Sequence, residues 1–248
     1  MLLLTGCSPR DGRDRSANIH LQYGNPSRAN VKDKNNYLLE KPQYALSYNC
    51  QAGIPNWVSW QLDRSWLGNL ARSDDFRPDS EIPDGCYGVR PNDYRGSGYD
   101  RGHMIPSGDR TNSRIDNSAT FLMTNIIPQS PANNREVWRE LEEYSRKLAS
   151  RGKELYIVAG GEGQLTAIAE GGIVVPEYTW KVILILDNDQ IEATIAVRIP
   201  NDETVARTDW QDYIVSVDEI EQKTGYNFFS RVERKLQQKV EKSTYRAD

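Results

Sequence analysis

The stretch "YDRGHMIPSGDRT", residues 99–111, contains one of only two histidines in a chain of 248 residues. If "DRGH" is a β-strand, Arg101 and His103 point to one face and Asp100 to the other, because side chains alternate along a strand. A guanidinium can clamp a phosphoryl group, and an imidazole can take a proton from water near neutral pH. This pairing suits a phosphate-handling site, although the tetrapeptide alone favours a solvent-facing arginine and histidine.

The stretch "NNREVWRELEEYSRKLASRG", residues 133–152, predicts a helix that ends near Gly152. At about 100° per residue, four apolar side chains fall in one narrow stripe that we expect to face the core. This stripe consists of Val137, Leu141, Tyr144 and Leu148.

A second stripe of the same helix steps by four residues through Asn134, Trp138, Glu142 and Arg146. It places an amide, a carboxylate and a guanidinium beside the buried face. Glu142 and Arg146 alternatively form an ordinary surface ion pair, worth about 0.3–0.5 kcal/mol. For Trp138, a core position and a base-stacking position are both open.

Runs of alternating or continuous apolar residues predict β-strands on both sides of this helix. They are "YALSYN" (44–49), "WVSWQL" (57–62), "ATFLMTNIIP" (119–128), "ELYIVAG" (154–160), "TWKVILILD" (179–187) and "IEATIAVRIP" (191–200). The last two runs suit a hairpin, and "SVDE" (216–219) is a capping box that opens a short helix. Strands around one long helix predict a mixed α+β fold with a mainly antiparallel sheet.

The composition is that of a globular chain, with 38% hydrophobic and 27% charged residues and a net charge of −4. An acidic total argues against a protein coated in basic surface for gripping nucleic acid. Residues 95–114, however, contain four arginines and two aspartates, which is a local excess of basic residues. Any phosphate-binding surface is therefore expected to be local.

The N-terminal "LTGC", residues 4–7, resembles the lipobox of bacterial lipoproteins, in which the cysteine is lipidated. The alternative is a chance apolar N-terminus. We interpret residues 1–36 as an export segment and flexible tail, with the ordered domain at 37–248. In an exported protein Cys50 and Cys86 form an even pair, so a disulfide and two separate buried thiols are both open.

The motif "DRGH", followed about thirty residues later by "NNREVWRELEEYSR", resembles the DNA/RNA non-specific endonuclease family, the ββα-metal nucleases. The segments "SWLGN", "DDFRPD", "SGYDRGHMIPSGDRT" and "VSVDEIEQKTGYNFF" are similar to its cyanobacterial branch. The resemblance covers roughly residues 37 to 230 and implies a ββα-metal active-site motif within the α+β fold.

The resemblance also implies roles for individual residues. His103 matches the general base, Asn134 the sole direct protein ligand of Mg²⁺, and Glu142 a carboxylate that holds the hydrated ion. Arg72, Arg101 and Arg146 match arginines around the scissile phosphate, and Asp100 matches the supporting acid of the motif.

The activity that the resemblance implies is hydrolysis of single- and double-stranded DNA and RNA, leaving 5′-phosphate products. Mg²⁺ is the expected ion, with Mn²⁺ as an alternative. Some relatives have a dedicated protein inhibitor, which makes such an inhibitor a candidate partner. We expect an exported protein, periplasmic or extracellular, with membrane attachment only through a lipid on Cys7. Two alternatives are an inactive nucleic-acid-binding surface lipoprotein and a phosphodiesterase of small substrates.

Overall fold

A computed structural model describes residues 18–170 and 172–246 of the chain. It contains eleven strands and four α-helices within these ranges. The strands are β1 (Tyr37–Glu40), β2 (Ala45–Asn49), β3 (Ile54–Leu62), β4 (Asp100–His103), β5 (Ile126–Gln129), β6 (Glu154–Glu162), β7 (Thr166–Ile168), β8 (Ile173–Val175), β9 (Tyr178–Asp187), β10 (Gln190–Pro200) and β11 (Ile214–Val215). The helices are α1 (Arg114–Ala119), α2 (Trp138–Ser150), α3 (Val217–Thr224) and α4 (Arg234–Lys242).

Seven strands form one sheet in the order β1-β2-β3-β6-β9-β10-β11, and every pairing in it is antiparallel. The pairs β4-β5 and β7-β8 form two small separate sheets. The predicted hairpin is confirmed, since β9 and β10 pair antiparallel across a turn at 188–189. The predicted α+β class with a mainly antiparallel sheet is therefore confirmed.

The large sheet is covered on both faces. Its front face, defined by Val58, Trp60, Ile157 and Ile183, packs with Leu141 of α2 in one apolar cluster. Its rear face carries a second cluster, to which α3 and α4 contribute. Central members of the rear cluster are Trp57, Val158, Trp180, Leu184 and Phe228. Because neighbouring residues of a strand point to opposite faces, β9 contributes alternately to the two clusters.

Residues 18–36 are not a free tail, so that part of the predicted boundary is wrong. His20 is 2% exposed, its Nε2 lies 2.9 Å from the Pro42 carbonyl oxygen, and its Nδ1 accepts from the backbone of Gln61 at 3.1 Å. Leu21 joins the rear cluster. These bonds are made with residues far along the chain, so the polar composition of the segment did not reveal them. The lipobox, with Cys7, lies outside the described residues.

The run 119–128 is also not one strand. Chain 114–119 is helical, 123–125 forms a 3-10 turn, and only β5 is extended. The buried side chain of Asn125 causes this break, because it bonds to the backbone of Ile105 in both directions and to the Thr120 carbonyl. Tertiary hydrogen bonds have overridden the local strand preference.

Two further expectations have a clear outcome. Cys50 and Cys86 form a disulfide. Ser216 caps α3 through the backbone of Glu219, and Gly225 ends that helix. Within 18–170 and 172–246, none of the helices has both the length and the apolar character that crossing a membrane requires.

Candidate active site

Strand β4 and the helical segment that follows β5 carry most of the predicted site residues. Strand β4 pairs antiparallel with β5, so that Asp100 lies opposite Gln129 and His103 opposite Ile126. The chain then enters a π-helical turn at Asn133–Val137 and continues as α2. The expected regular helix over 133–152 thus begins with a widened turn, which is a frequent feature of functional sites. The order β4, β5, α2 is the ββα arrangement that the resemblance implied.

Gly102 is required by the packing of this hairpin. A Cβ atom at position 102 would lie 1.9 Å from Oε1 of Gln129. Gln129 is fully buried, and its Nε2 donates to Oδ1 of Asn133 at 2.6 Å. The glycine between Arg101 and His103 therefore leaves room for the buried side-chain amide of Gln129 to pack against the strand.

His103 is buried among aromatic rings at the end of β4. It is 7% exposed, and its ring centroid lies 5.2 Å from that of Phe76 and 5.0 Å from that of Phe121. Its Nε2 is buried without a hydrogen-bond partner. Burial, together with the positive charges of Arg72 and Arg101, lowers the pKa of His103 to about 3. The imidazole is therefore neutral at pH 7 and has an unoccupied acceptor or donor position.

Asn134 is oriented by Asp100. Its Nδ2 donates to Oδ2 of Asp100 at 2.9 Å, and Arg135 donates to both oxygens of the same carboxylate at 2.7 and 2.6 Å. Burial acts to raise the pKa of Asp100, but these hydrogen bonds more than offset it, so the pKa is lowered. Asp100 thus stays ionised and fixes which end of the Asn134 amide is its nitrogen end.

A cleft of about 270 Å³ brings most of the predicted residues together. Its lining residues are Arg72, Arg101, His103, Pro106, Asn134, Arg135, Arg139 and Glu142. A neighbouring cleft of about 500 Å³ shares Arg72, Arg101 and Asn134 with it and is also lined by Arg95 and Tyr99. His103 and Asn134 therefore border one space, at the junction of a strand and a helix.

The arginines of the cleft are held against aromatic rings. The guanidinium of Arg101 lies 4.2 Å from the centroid of Phe76, and that of Arg72 lies 4.7 Å from the centroid of Phe121. Nη1 of Arg72 also donates to Oγ of Ser107 at 3.2 Å. Arg101 and His103 both contact Phe76, as the alternation along "DRGH" predicted. Both guanidiniums remain exposed enough to meet an anion.

Glu142 lies on the α2 side of the cleft, with 12% of its side chain exposed. Burial raises the pKa of this carboxyl to about 7, while the positive charges of Lys181 and Arg146 act in the opposite direction. The surface ion pair between Glu142 and Arg146 that the spacing allowed is not the arrangement found. Arg146 pairs instead with Asp109, at 3.1 Å.

Arg146 and Trp138 do not line the cleft but contact the chain segments that support it. Arg146 lies against Gly108, where an added Cβ would come 3.0 Å from its Nη1. Trp138 is 1% exposed, and its Nε1 donates to the backbone oxygen of His103 at 3.3 Å. The open question about Trp138 is therefore settled in favour of the core.

Sequence reasoning missed Asp109 and Lys181, which are almost fully buried near Glu142. Both had a signal in the sequence. Lys181 interrupts the apolar run "TWKVILILD", and Asp109 lies within the histidine stretch 99–111. Two further residues that line the cleft were also not singled out, Arg135 of the π-helical turn and Arg139 of α2.

The donor set fits a hard divalent cation. Asn134, with an amide oxygen, and Glu142, with a carboxylate, both border the cleft, and among the residues that the structure describes neither a cysteine nor a second histidine lines it. Oxygen donors in small number are typical of Mg²⁺, which keeps several of its waters. The nitrogen end of the Asn134 amide is already bound to Asp100, which leaves the oxygen end for an ion.

A family model described as DNA/RNA non-specific endonuclease matches residues 23–235. The chain belongs to this family. Membership identifies it as an endonuclease-type hydrolase whose substrates are nucleic acids. The match begins upstream of Tyr37, in agreement with the packing of residues 18–36.

Known proteins similar to this endonuclease-family chain include a nuclease of Nostoc sp. The two are 50% identical over 96% of this chain and 93% of the Nostoc protein. Mouse mitochondrial nuclease EXOG is 30% identical over 77% of this chain, which spans just over half of EXOG, 56% of its length. Among solved structures, EndoG in its complex with EndoGI matches with a TM-score of 0.77 and 26% identity, over 87% of this chain and 92% of EndoG.

Proposed function

We propose that this chain is an Mg²⁺-dependent endonuclease that hydrolyses phosphodiester bonds of DNA and RNA with little sequence or sugar specificity, leaving 5′-phosphates. One observation carries the proposal. His103, whose Nε2 is buried without a hydrogen-bond partner, borders the same cleft as Arg72, Arg101, Asn134 and Glu142. A base, two phosphate-binding cations and two oxygen donors around one space are the groups that phosphodiester hydrolysis requires.

His103 is the general base of this proposal. Its Nε2 accepts a proton from a water molecule, which then attacks phosphorus. The low pKa of His103 keeps its imidazole neutral. This lowering of the pKa is caused by burial and by the positive charges of Arg72 and Arg101. An anionic phosphate bound between these guanidiniums offsets their charge, so His103 becomes a stronger base when substrate is present.

The arginines bind and stabilise the phosphate. Arg72 and Arg101 are exposed at the cleft and suit the oxygens of a phosphodiester, because a guanidinium offers several donors in one plane. Arg146 supports the site through Asp109, and its charge reaches Glu142. Asp100 orients the amide of Asn134.

Asn134 would hold the ion directly through its amide oxygen, and Glu142 would hold it through the ion's waters. Mn²⁺ offers the same oxygen-seeking chemistry as Mg²⁺. Such an ion supplies positive charge for the phosphate oxygens and the departing O3′. The chain's own contribution is the fixed orientation of the two oxygen donors.

This set of groups makes no use of a 2′-hydroxyl, which supports activity on both DNA and RNA. These groups contact the phosphate backbone rather than the base edges, which supports a weak sequence preference. The neighbouring 500 Å³ cleft, with Arg95 and Tyr99, extends the polar surface for a strand on either side of the scissile phosphate.

The test is degradation of plasmid and of RNA by the purified protein. We expect His103→Ala to lower cleavage by about 10²–10⁴-fold, the usual contribution of a general base. Asn134→Ala and EDTA should also abolish most cleavage. His20→Gln, at the only other histidine, is the matched control and should keep wild-type activity per folded molecule.

Four results would contradict the proposal in different ways. Wild-type rates in His103→Ala would remove the base, and unchanged Mg²⁺ dependence in Asn134→Ala would remove the ligand. Tight binding of DNA without cleavage would favour an inactive binding protein. Cleavage of bis(p-nitrophenyl) phosphate but of neither polymer would favour a small-substrate phosphodiesterase.

We further propose that the protein is exported and that an inhibitor protein can cover the cleft. The Cys50–Cys86 disulfide supports export, since such bonds persist in oxidising compartments. The similarity to EndoG in its complex with EndoGI supports an inhibitor. Fractionation of cells expressing wild type and Cys7→Ser tests attachment by lipid, because only the wild type should enter the membrane fraction.

A further inference from the structure

Lys181 occupies a place where the fold would otherwise have an apolar side chain. It lies on the front face of the large sheet, between Thr179 and Ile183 of β9. Its strand neighbours are Ala159 on β6 and Val197 on β10. Lys181 is 1% exposed, so its ammonium group lies inside the protein, beneath helix α2.

Indole rings and one carboxylate surround this ammonium group. Nζ of Lys181 lies 3.9 Å from a ring centroid of Trp138 and 5.9 Å from one of Trp60. Its nearest carboxylate oxygen is Oε1 of Glu142, at 4.0 Å. Cation–π contacts stabilise a desolvated ammonium, but they do not replace an opposite charge.

Charged groups that face Lys181 from the packed elements are Glu142 and Arg146 of α2 and Asp109 of the loop after β4. Asp109 is already satisfied, because Nη1 of Arg146 donates to it at 3.1 Å and Nε1 of Trp60 at 2.9 Å. The four charges thus divide into two pairs, and the remaining pair is Lys181 with Glu142.

We propose that Lys181 is a positioning residue: from beneath α2, its ammonium group holds the Glu142 carboxylate in a fixed place between the sheet and the cleft. The inference rests on the proposed function, in which Glu142 holds the hydrated ion. Lys181 itself does not border the cleft, so it acts only through Glu142. A buried charge that loses its partner is strongly destabilising, whereas removal of both charges together is often nearly neutral.

A double-mutant cycle separates this role from simple packing. The variants are Lys181→Met, Glu142→Gln and the two combined, with Lys153→Met as a matched control. Lys153 makes its ion pairs with Asp187 and Glu192, away from the cleft. Each protein is assayed for kcat, KM for plasmid DNA and the Mg²⁺ concentration that gives half-maximal rate, and is also unfolded in urea without metal.

We expect Lys181→Met to lower kcat about tenfold or more and to raise the half-maximal Mg²⁺ concentration, with KM for DNA unchanged. In the Glu142→Gln background the same substitution should cause no further loss. The urea midpoint should fall in each single variant and recover in the double variant. Lys153→Met should leave kcat and the Mg²⁺ dependence unaltered.

Wild-type kcat and Mg²⁺ dependence in Lys181→Met would overturn the inference, and so would losses that multiply in the double variant. If the Lys181→Met protein does not fold, the urea midpoints of Glu142→Gln and of the double variant are compared instead. A coupled pair requires the double variant to be at least as stable as Glu142→Gln, and a lower midpoint in the double variant would overturn the inference. Full cleavage by Glu142→Gln would instead contradict the proposed role of Glu142. The metal-free unfolding data would still report whether the two charges are coupled.

Discussion

The two faces of the seven-stranded sheet are built on different principles. The rear face carries an apolar cluster in which Trp57, Trp180 and Phe228 are at most 1% exposed, alongside the buried polar side chains of His20 and Glu241. The front face is equally dry but encloses Lys181 and Asp109 next to Trp60 and Trp138. Both faces share the same strands, since β9 sends Trp180 to the rear and Lys181 to the front.

This difference separates what stabilises the fold from what the site needs. Apolar burial on the rear face contributes favourable free energy throughout. Buried ion pairs on the front face contribute little or nothing to stability, because desolvation of the charges offsets their attraction. In the proposed function, the cleft above these pairs needs a carboxylate at a fixed place, which would account for charges in this part of the core.

The largest stability effect is expected on the rear face. Trp180→Ala should lower the free energy of unfolding by about 3–5 kcal/mol, since it empties a fully buried site that Phe228 borders. Cleavage per folded molecule should remain at the wild-type rate. Urea unfolding and a plasmid assay measure the two quantities, with Trp180→Phe as the milder variant. A catalytic loss in folded Trp180→Phe would show that the two faces are not independent.

A pH effect of intermediate size is expected at His20, which packs at the rear of the sheet. Burial lowers its pKa to about 4, against an ordinary value of 6.5. The unfolded chain therefore binds the extra proton first, and the stability that neutral His20 provides is lost as the pH falls from 6.5 towards 4. This loss amounts to about 2–3 kcal/mol.

Urea unfolding of wild type and His20→Gln between pH 7 and pH 4 measures that loss. The advantage of wild type over the variant should shrink as the solution is acidified. On the front face His103 acts in the same direction, but Glu142 opposes it, because protonation of a carboxyl with a raised pKa favours the folded state below about pH 7. An advantage that is constant with pH would contradict the neutral, buried state of His20.

The smallest effect is expected at the edge of the cleft. Asp100→Asn keeps the shape but removes the charge that binds Arg135 and orients Asn134, so we expect about a tenfold loss of kcat, or roughly 1.4 kcal/mol. Stability should change little, since the carboxylate is partly exposed. Glu143→Gln, which loses its pairing with Arg139 on the same helix, is the matched control. Equal rates for the two variants would contradict the orienting role of Asp100.

Much of this architecture was predictable because local pattern and tertiary packing agree. The long strands β6, β9 and β10 are apolar runs buried on both faces, and Ser216 caps α3 as its sequence indicates. The cleft residues were predicted partly from spacing and mainly from the family motif. Spacing alone did not distinguish Arg146 paired with Glu142 from Arg146 paired with Asp109.

What sequence could not supply was the destination of buried polar groups. His20 lies in a segment predicted to be a tail and Asn125 in a run predicted to be a strand, yet both side chains form hydrogen bonds with the backbone of residues elsewhere in the chain. Lys181 looks like a strand residue with a solvent-facing end, yet no water-exposed face exists there. Such partners are set by long-range contacts that no local window contains.

The glycine between Arg101 and His103 has a consequence for how this site can vary. Gly102 and Gln129 occupy one volume, since any side chain on the first would overlap the amide of the second. A larger residue at position 102 alone is therefore blocked, and a smaller residue at position 129 alone leaves a void. Both positions have to change together, so that the volume lost on one strand is filled from the other. Because Gln129 also binds Asn133, beside Asn134, such an exchange would be felt at the start of the helix as well. Any redesign that changes the orientation of His103 therefore has to treat β4, β5 and the π-helical turn as a single unit.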